Sequence, residues 1–214
     1  MPKTITEKLN SGREYRNFTF DLEPIDPESK KDDDFIVRGY ATTFNDPYLL
    51  FSDDGYELFE QIDANAFNEC DMSDTIFQYN HEGRVYARIS NNTLSIVPDL
   101  KGLNIKCDLS GTAGGRELYE EIKGGYITKM SIGMVVGEDN YKSLPSSEGY
   151  KEIRTITRIK KLYDVSAVSI PANDATSISA RSLGEKTLAE FKRRMTEKRQ
   201  LEIEKLKLKL RINM

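Results

Sequence analysis

The chain has 214 residues and a mass of 24.4 kDa, enough to bury one proper core with room for an appendage. It is 38% hydrophobic, with eleven Tyr and nine Phe, and 31% charged at a mean hydropathy of -0.57. No apolar run nears the roughly 18 residues that span a bilayer, so a membrane-spanning helix is excluded and no membrane partner is expected. The opening MPKTITEKLN lacks the apolar stretch of a secretory signal, and Cys70 and Cys107 stand far apart without a CxxC. These features predict reduced thiols in a cytosol-like compartment. One histidine and two scattered cysteines make a poor zinc set, so metal-dependent hydrolysis is disfavoured and no cofactor is expected.

The net charge of -4 hides an asymmetry. Residues 1–180 hold 20 Lys+Arg against 30 Asp+Glu, while 181–214 hold 11 against 5. An acidic body with a basic tail predicts a unit over 1–180 and a helical tail over 181–214, and no specific nucleic-acid binding by the body.

In chain order, EYRNFTFDL (Glu14 to Leu22) alternates Phe18, Phe20 and Leu22 with polar residues, the period of a half-buried strand. The charged, proline-bearing stretch after it reads as a solvated loop leading into a second strand, Phe35 to Phe44. Turn chemistry at Asn45-Asp46-Pro47 and Asp53-Asp54-Gly55 predicts loop, strand and a short helical turn up to Cys70. A strand from Thr75 to Asn80 ends at His81-Glu82-Gly83, and RVYARIS, TLSIVP and GLNIKCDL follow as three more. Strict alternation of Leu103, Ile105, Cys107 and Leu109 marks Cys107 as a core residue.

The glycine-bounded RELYEEIK predicts a short amphipathic helix. In YITKMSIGMVVG, Met130, Ile132, Met134 and Val136 fall on one face, with Lys129, Ser131, Gly133 and Val135 on the other. A polar loop over 139–150 and two strands, KEIRTITRI and KLYDVSAVSI, complete the body. Many short strands with few helices predict an α+β fold, a mostly antiparallel barrel or sandwich with helical additions. Leu188, Phe191, Met195, Ile203, Leu206 and Leu210 recur at helical spacings in the tail, predicting a helix that packs on the body or docks a partner.

As the only histidine, His81 is the candidate group to titrate near neutrality as a general base. Ser131 sits in S-I-G, without the G-x-S-x-G elbow of the α/β-hydrolases. Asp164 interrupts an apolar strand, where an acid must be solvated or paired.

Six segments in order carry a resemblance. They are R-G-Y-A-T-T-F (Arg38 to Phe44), E-Q-I-D-A-N-A-F (Glu60 to Phe67), Y-N-H (Tyr79 to His81), K-G-L-N-I-K (Lys101 to Lys106), L-Y-E-E-I-K-G-G-Y-I with K-M-S-I-G-M (ending at Met134), and Y-D-V-S-A-V-S-I-P-A-N (Tyr163 to Asn173). Over roughly residues 13–180 the chain resembles the prohead proteases of tailed bacteriophages, relatives of the herpesvirus assembly proteases. The resemblance implies a herpesvirus-protease-type barrel with flanking short helices, and a serine endopeptidase with Ser131 as nucleophile, His81 as base and Asp164 as third member. The herpesvirus relatives use a second histidine in that last role, which this chain lacks, so the alternative is a Ser-His dyad. Gly133 would leave room for a substrate backbone, and backbone N–H groups near Ala172 and Asn173 would supply the oxyanion donors.

The implied partners are the capsid and scaffold proteins of the procapsid, with homodimers on the herpesvirus analogy, and the implied place is the assembling procapsid in the host cytoplasm. The implied task is cleavage of scaffold or capsid-protein extensions and of the chain itself, with a cut near Ser177 to Arg181 releasing the tail. The competing reading keeps the fold without the chemistry: an inactive internal scaffolding protein acting through its C-terminal helix.

Overall fold

The computed structural model describes residues 12–18, 23–24, 35–53, 55–144, 149–169 and 185–212. The alternating segments pair into two sheets. In the larger, β1 (Glu14–Phe18), β10 (Lys129–Leu144), β11 (Tyr150–Val168), β5 (Tyr56–Ile62) and β4 (Tyr48–Asp53) lie side by side in that order. β6 (Ile76–Tyr79) pairs with the far end of β11 and carries β7 (Glu82–Arg88). The smaller sheet runs β2 (Glu23–Pro24), β3 (Ile36–Thr43), β9 (Gly102–Asp108), β8 (Leu94–Pro98).

The 19-residue β11 organises the molecule. Its first half runs parallel to β5, Tyr150 opposite Tyr56 through Ile156 opposite Ile62. Its second half runs parallel to β6, Asp164 opposite Ile76 through Ala167 opposite Tyr79. Along its other edge it is antiparallel to β10, with register shifts between Gly133 and Asp139, the kind of irregularity that bends a strand pair.

Most pairs are antiparallel, as predicted, but the described strands form two open sheets rather than a closed barrel. Alternation decides which face of a strand is buried; it leaves open whether the first and last strands meet. The polar stretch predicted as a loop over 139–150 is largely strand, because β10 runs on to Leu144 and forms a long hairpin arm with β11. Likewise KEIRTITRI and KLYDVSAVSI are one continuous strand.

Val37, Ala41, Leu103, Ile105 and Cys107 of the smaller sheet pack in one core with Met130, Ile132, Met134, Ile156, Leu162 and Val165 of the larger. Each such buried side chain contributes roughly 1.5–3 kcal/mol. Cys107 is a buried free thiol, as its alternation predicted, and burial pushes its pKa far up. The predicted amphipathic helix is α1 (Ala113–Lys123), capped by Thr112, whose hydroxyl accepts from the Gly115 N–H at 2.9 Å. It buries Leu118, Tyr119 and Ile122 in the same core.

The tail carries α2 (Glu185–Ile212). Its middle is fastened to the arm: the Arg194 guanidinium lies 3.4 Å over the Tyr141 ring, and Lys198 Nζ is 3.3 Å from Glu152. Met195 packs against the cluster of Leu50, Phe51 and Leu58. Farther along, Leu201, Ile203 and Leu208 are exposed. No helix among the described residues is long and apolar enough to cross a membrane.

Candidate active site

β6 and β7 meet at a two-residue turn, with Tyr79 opposite Glu82 and Asn80 and His81 between them. Both turn residues have positive φ, 50° and 60°, the hairpin pattern that glycine usually fills. A histidine there costs conformational energy, the kind of strain that gathers at functional sites. The turn is tied to the end of β11: Asn80 N–H donates to the Ala167 carbonyl at 2.9 Å, and Ser169 N–H to Asn80 Oδ1 at 3.1 Å.

That anchoring aims the imidazole across the sheet. His81 Nε2 is 2.5 Å from Ser131 Oγ on β10, and Nδ1 is hydrogen-bonded to the Asp164 carboxylate on β11. An acceptor-only carboxylate at Nδ1 favours the tautomer in which Nδ1–H donates to Asp164 and Nε2 accepts from the Ser131 hydroxyl. The three sequence-predicted residues, Ser131, His81 and Asp164, therefore form one hydrogen-bonded chain of 0%, 6% and 1% exposed groups. Ser131 lies opposite the Met130, Ile132 and Met134 face, as the alternation predicts. That other face is covered by His81 and Asp164, and Ser131 has no exposed surface.

Gly133 has a different neighbour from the one expected. A Cβ there would stand 2.3 Å from Asp164 Oδ2 and 2.8 Å from Tyr15 Cε1, so the missing side chain makes room for the acid and the tyrosine ring rather than for a peptide. Register explains this: Gly133 is paired with Asp164 on one side and Tyr15 on the other.

Sequence reasoning missed two residues. Ser166, itself buried, donates its hydroxyl to Asp164 Oδ1 at 2.8 Å, the same oxygen that His81 Nδ1 meets, and so helps fix the carboxylate. Its position two residues on along the same strand face was the available signal. Tyr15 packs its ring on His81, centroids 4.4 Å apart and planes tilted by 57°; that contact depends on β1 pairing with β10 and had no local signal. Burial, then the Asp164 charge, raises the Tyr15 pKa to about 12 despite the opposing pull of Arg13. Ala172 and Asn173, the expected oxyanion donors, and the expected cut near Ser177 to Arg181 lie outside the described residues.

On the opposite face of β1, Glu14 and Arg16 enter a second buried polar cluster. Arg154 Nη1 lies 2.9 Å from Glu14 and 2.8 Å from Glu60, and its Nε donates to Asp139 at 2.6 Å. Arg16 bonds Glu60 and Glu14, and the Tyr48 hydroxyl also donates to Glu60. Burial pushes the Glu14 carboxyl up, but Arg16 and Arg154 outweigh it and hold the pKa at about 2. Among the described residues no group of three His, Cys, Asp or Glu is arranged to hold a metal ion.

The family model for the caudovirus prohead serine protease matches residues 23–193. The prohead protease of Enterobacteria phage HK97 is 27% identical over 146 residues, which cover 68% of this chain and 59% of that protein. The match thus spans about three fifths of the curated relative's length. No solved structure matches the chain. With the model match running across both sheets and all three members of the Ser131, His81, Asp164 chain, this protein belongs to the caudovirus prohead serine protease family.

Proposed function

We propose that the chain is a serine endopeptidase of the procapsid that cleaves scaffold or capsid-protein extensions, and itself, during maturation. The observation that carries this reading is the continuous hydrogen-bonded chain from Ser131 through His81 to Asp164. In this role His81 takes the Ser131 hydroxyl proton as Oγ attacks a peptide carbonyl carbon. An acyl-enzyme forms, the same proton passes from His81 to the leaving amine, and the peptide C–N bond breaks. Water then repeats the cycle with His81 as base and frees the new carboxyl terminus. Asp164, braced by Ser166, holds the imidazole tautomer and stabilises the imidazolium, which favours a triad over a dyad.

Family membership supports scaffold and capsid proteins of the procapsid as the partners, met inside that particle. Residues 1–180 act as the peptidase unit and 181–214 as a basic docking tail, the exposed Leu201, Ile203 and Leu208 of α2 supporting the latter role. The test is intact mass after incubation, alone and with the particle's capsid protein, for wild type, Ser131→Ala, His81→Ala and Asp164→Ala. Shortening in wild type that both Ser131→Ala and His81→Ala abolish is the expected result. Four intact sets, with a capsid protein the particle is known to process, would leave the scaffolding reading.

A further inference from the structure

Tyr15 is 5% exposed and its ring lies on the His81 imidazole, yet its hydroxyl is buried and its hydrogen meets no acceptor among the described residues, since the nearby Arg13 guanidinium can only donate. An unpaired buried phenol costs about 1–3 kcal/mol, and a polar group left unpaired at that cost calls for a physical account. Packing alone does not provide one, since phenylalanine would fill the same contact with His81 and the same space beside Gly133 without the penalty. The hydroxyl is also a dependable donor. Its charged neighbours are Asp164 on β11, Glu82 on β7 and Arg13 just before β1. Burial and the two acids outweigh Arg13 and keep the phenol protonated at neutral pH.

The group is absent from the proton path, which runs through Ser131, His81 and Asp164 only. What the free protein lacks is an acceptor for the Tyr15 hydroxyl, and attack by Ser131 creates one beside the imidazole on which its ring lies. The carbonyl oxygen becomes an oxyanion in a closed, water-poor setting, where a preorganised donor has its largest effect.

Building on the peptidase reading, we propose that the Tyr15 hydroxyl is a catalytic hydrogen-bond donor to the oxygen of the group that Ser131 attacks. β1 then links substrate chemistry to architecture. Tyr15 on one face reaches the reacting oxygen, while Glu14 and Arg16 on the other anchor the strand in the buried ion cluster.

The probe is a small alkyl fluorophosphonate. Ser131 Oγ forms a bond to phosphorus, the P–F bond breaks and fluoride leaves, and the hydroxyl proton passes to His81. The phosphoryl oxygen takes the position of the carbonyl oxygen. Labelling rate by intact mass and melting temperature are measured for wild type, Tyr15→Phe and Ser131→Ala. The expected result is that Tyr15→Phe labels about 10- to 100-fold more slowly, less than the full loss typical of a main oxyanion donor, while its melting temperature is unchanged or higher. A purely structural tyrosine would not separate these two readouts. Labelling at the wild-type rate overturns the proposal, and so does a Tyr15→Phe chain that loses its fold, since that would mean the hydroxyl is held in the free protein. If wild type itself resists the reagent as Ser131→Ala does, the peptidase reading falls first and this proposal with it.

Discussion

The two faces of β1 border two buried polar clusters built on different principles. On one face a serine, a histidine and a carboxylate form a single line of hydrogen bonds in which one proton can move. On the other, Glu14, Arg16, Glu60, Arg154 and Asp139 cross-link so that each guanidinium meets at least two carboxylates. Guanidinium does not surrender its proton and its carboxylate partners stay ionised until acid pH, so at neutral pH the second cluster holds strands as fixed charge. Both clusters are buried, so burial does not distinguish them; the line of donors and acceptors in the one and the cross-linked fixed charges of the other do.

Mutations should separate the two clusters by readout. The largest effect belongs to the line of three: Ser131→Ala or His81→Ala should reduce kcat on the order of a million-fold, and Asp164→Asn about ten-thousand-fold. Cleavage rate against unchanged urea unfolding tests this, and a mild Asp164→Asn would point to a dyad. Next comes the clamp. Arg154→Met leaves Glu14 and Glu60 buried with less compensation and should cost about 3–5 kcal/mol of unfolding free energy. Activity should follow only as the fold is lost; a large drop in kcat in the still-folded variant would refute the separation.

Gly133→Ala touches both faces of the argument in a smaller way. The added methyl collides with Asp164 Oδ2 and the Tyr15 ring, so kcat should fall about 10- to 100-fold with a modest loss of stability. The gentlest test is acid. The Glu14 carboxyl titrates near 2 in the folded chain against 4.5 when free, so the unfolded chain binds more protons between those values. Its stabilising contribution is complete above about pH 4.5 and declines as pH falls toward about 2. Urea unfolding at pH 5, 4, 3 and 2 should show that slope, and Glu14→Gln should flatten it.

Much of the site was legible because its residues are rare or break a pattern. His81 is the only histidine, Asp164 is the acid in an apolar strand, and Ser131 lies opposite a clean apolar face. The clamp was not legible. Glu14 and Arg16 share the strand face of Phe18, Phe20 and Leu22, so alternation turns them inward, but nothing local names the charges that would pair with them there. Arg16 and its partner Glu60 are 44 positions apart, Glu14 and its partner Arg154 are 140 apart, and only the neighbouring of β1, β10, β11 and β5 unites them. Tyr15 was hidden for the same reason.

By itself the sequence determined the strand-rich α+β character, the helix at Ala113–Lys123 and the core role of Cys107. Each follows from local periodicity or from a residue's own chemistry, which neighbouring side chains express without distant help, whereas Ser131, His81 and Asp164 were joined into one candidate site only by the resemblance to a family. Tertiary structure alone decided that the sheets stay open, that β11 divides its pairing between β5 and β6, and that Gly133 shelters Asp164. Those outcomes depend on register between strands far apart in the chain. A one-residue slip reverses every side chain's face, so the choice is made by the packed whole.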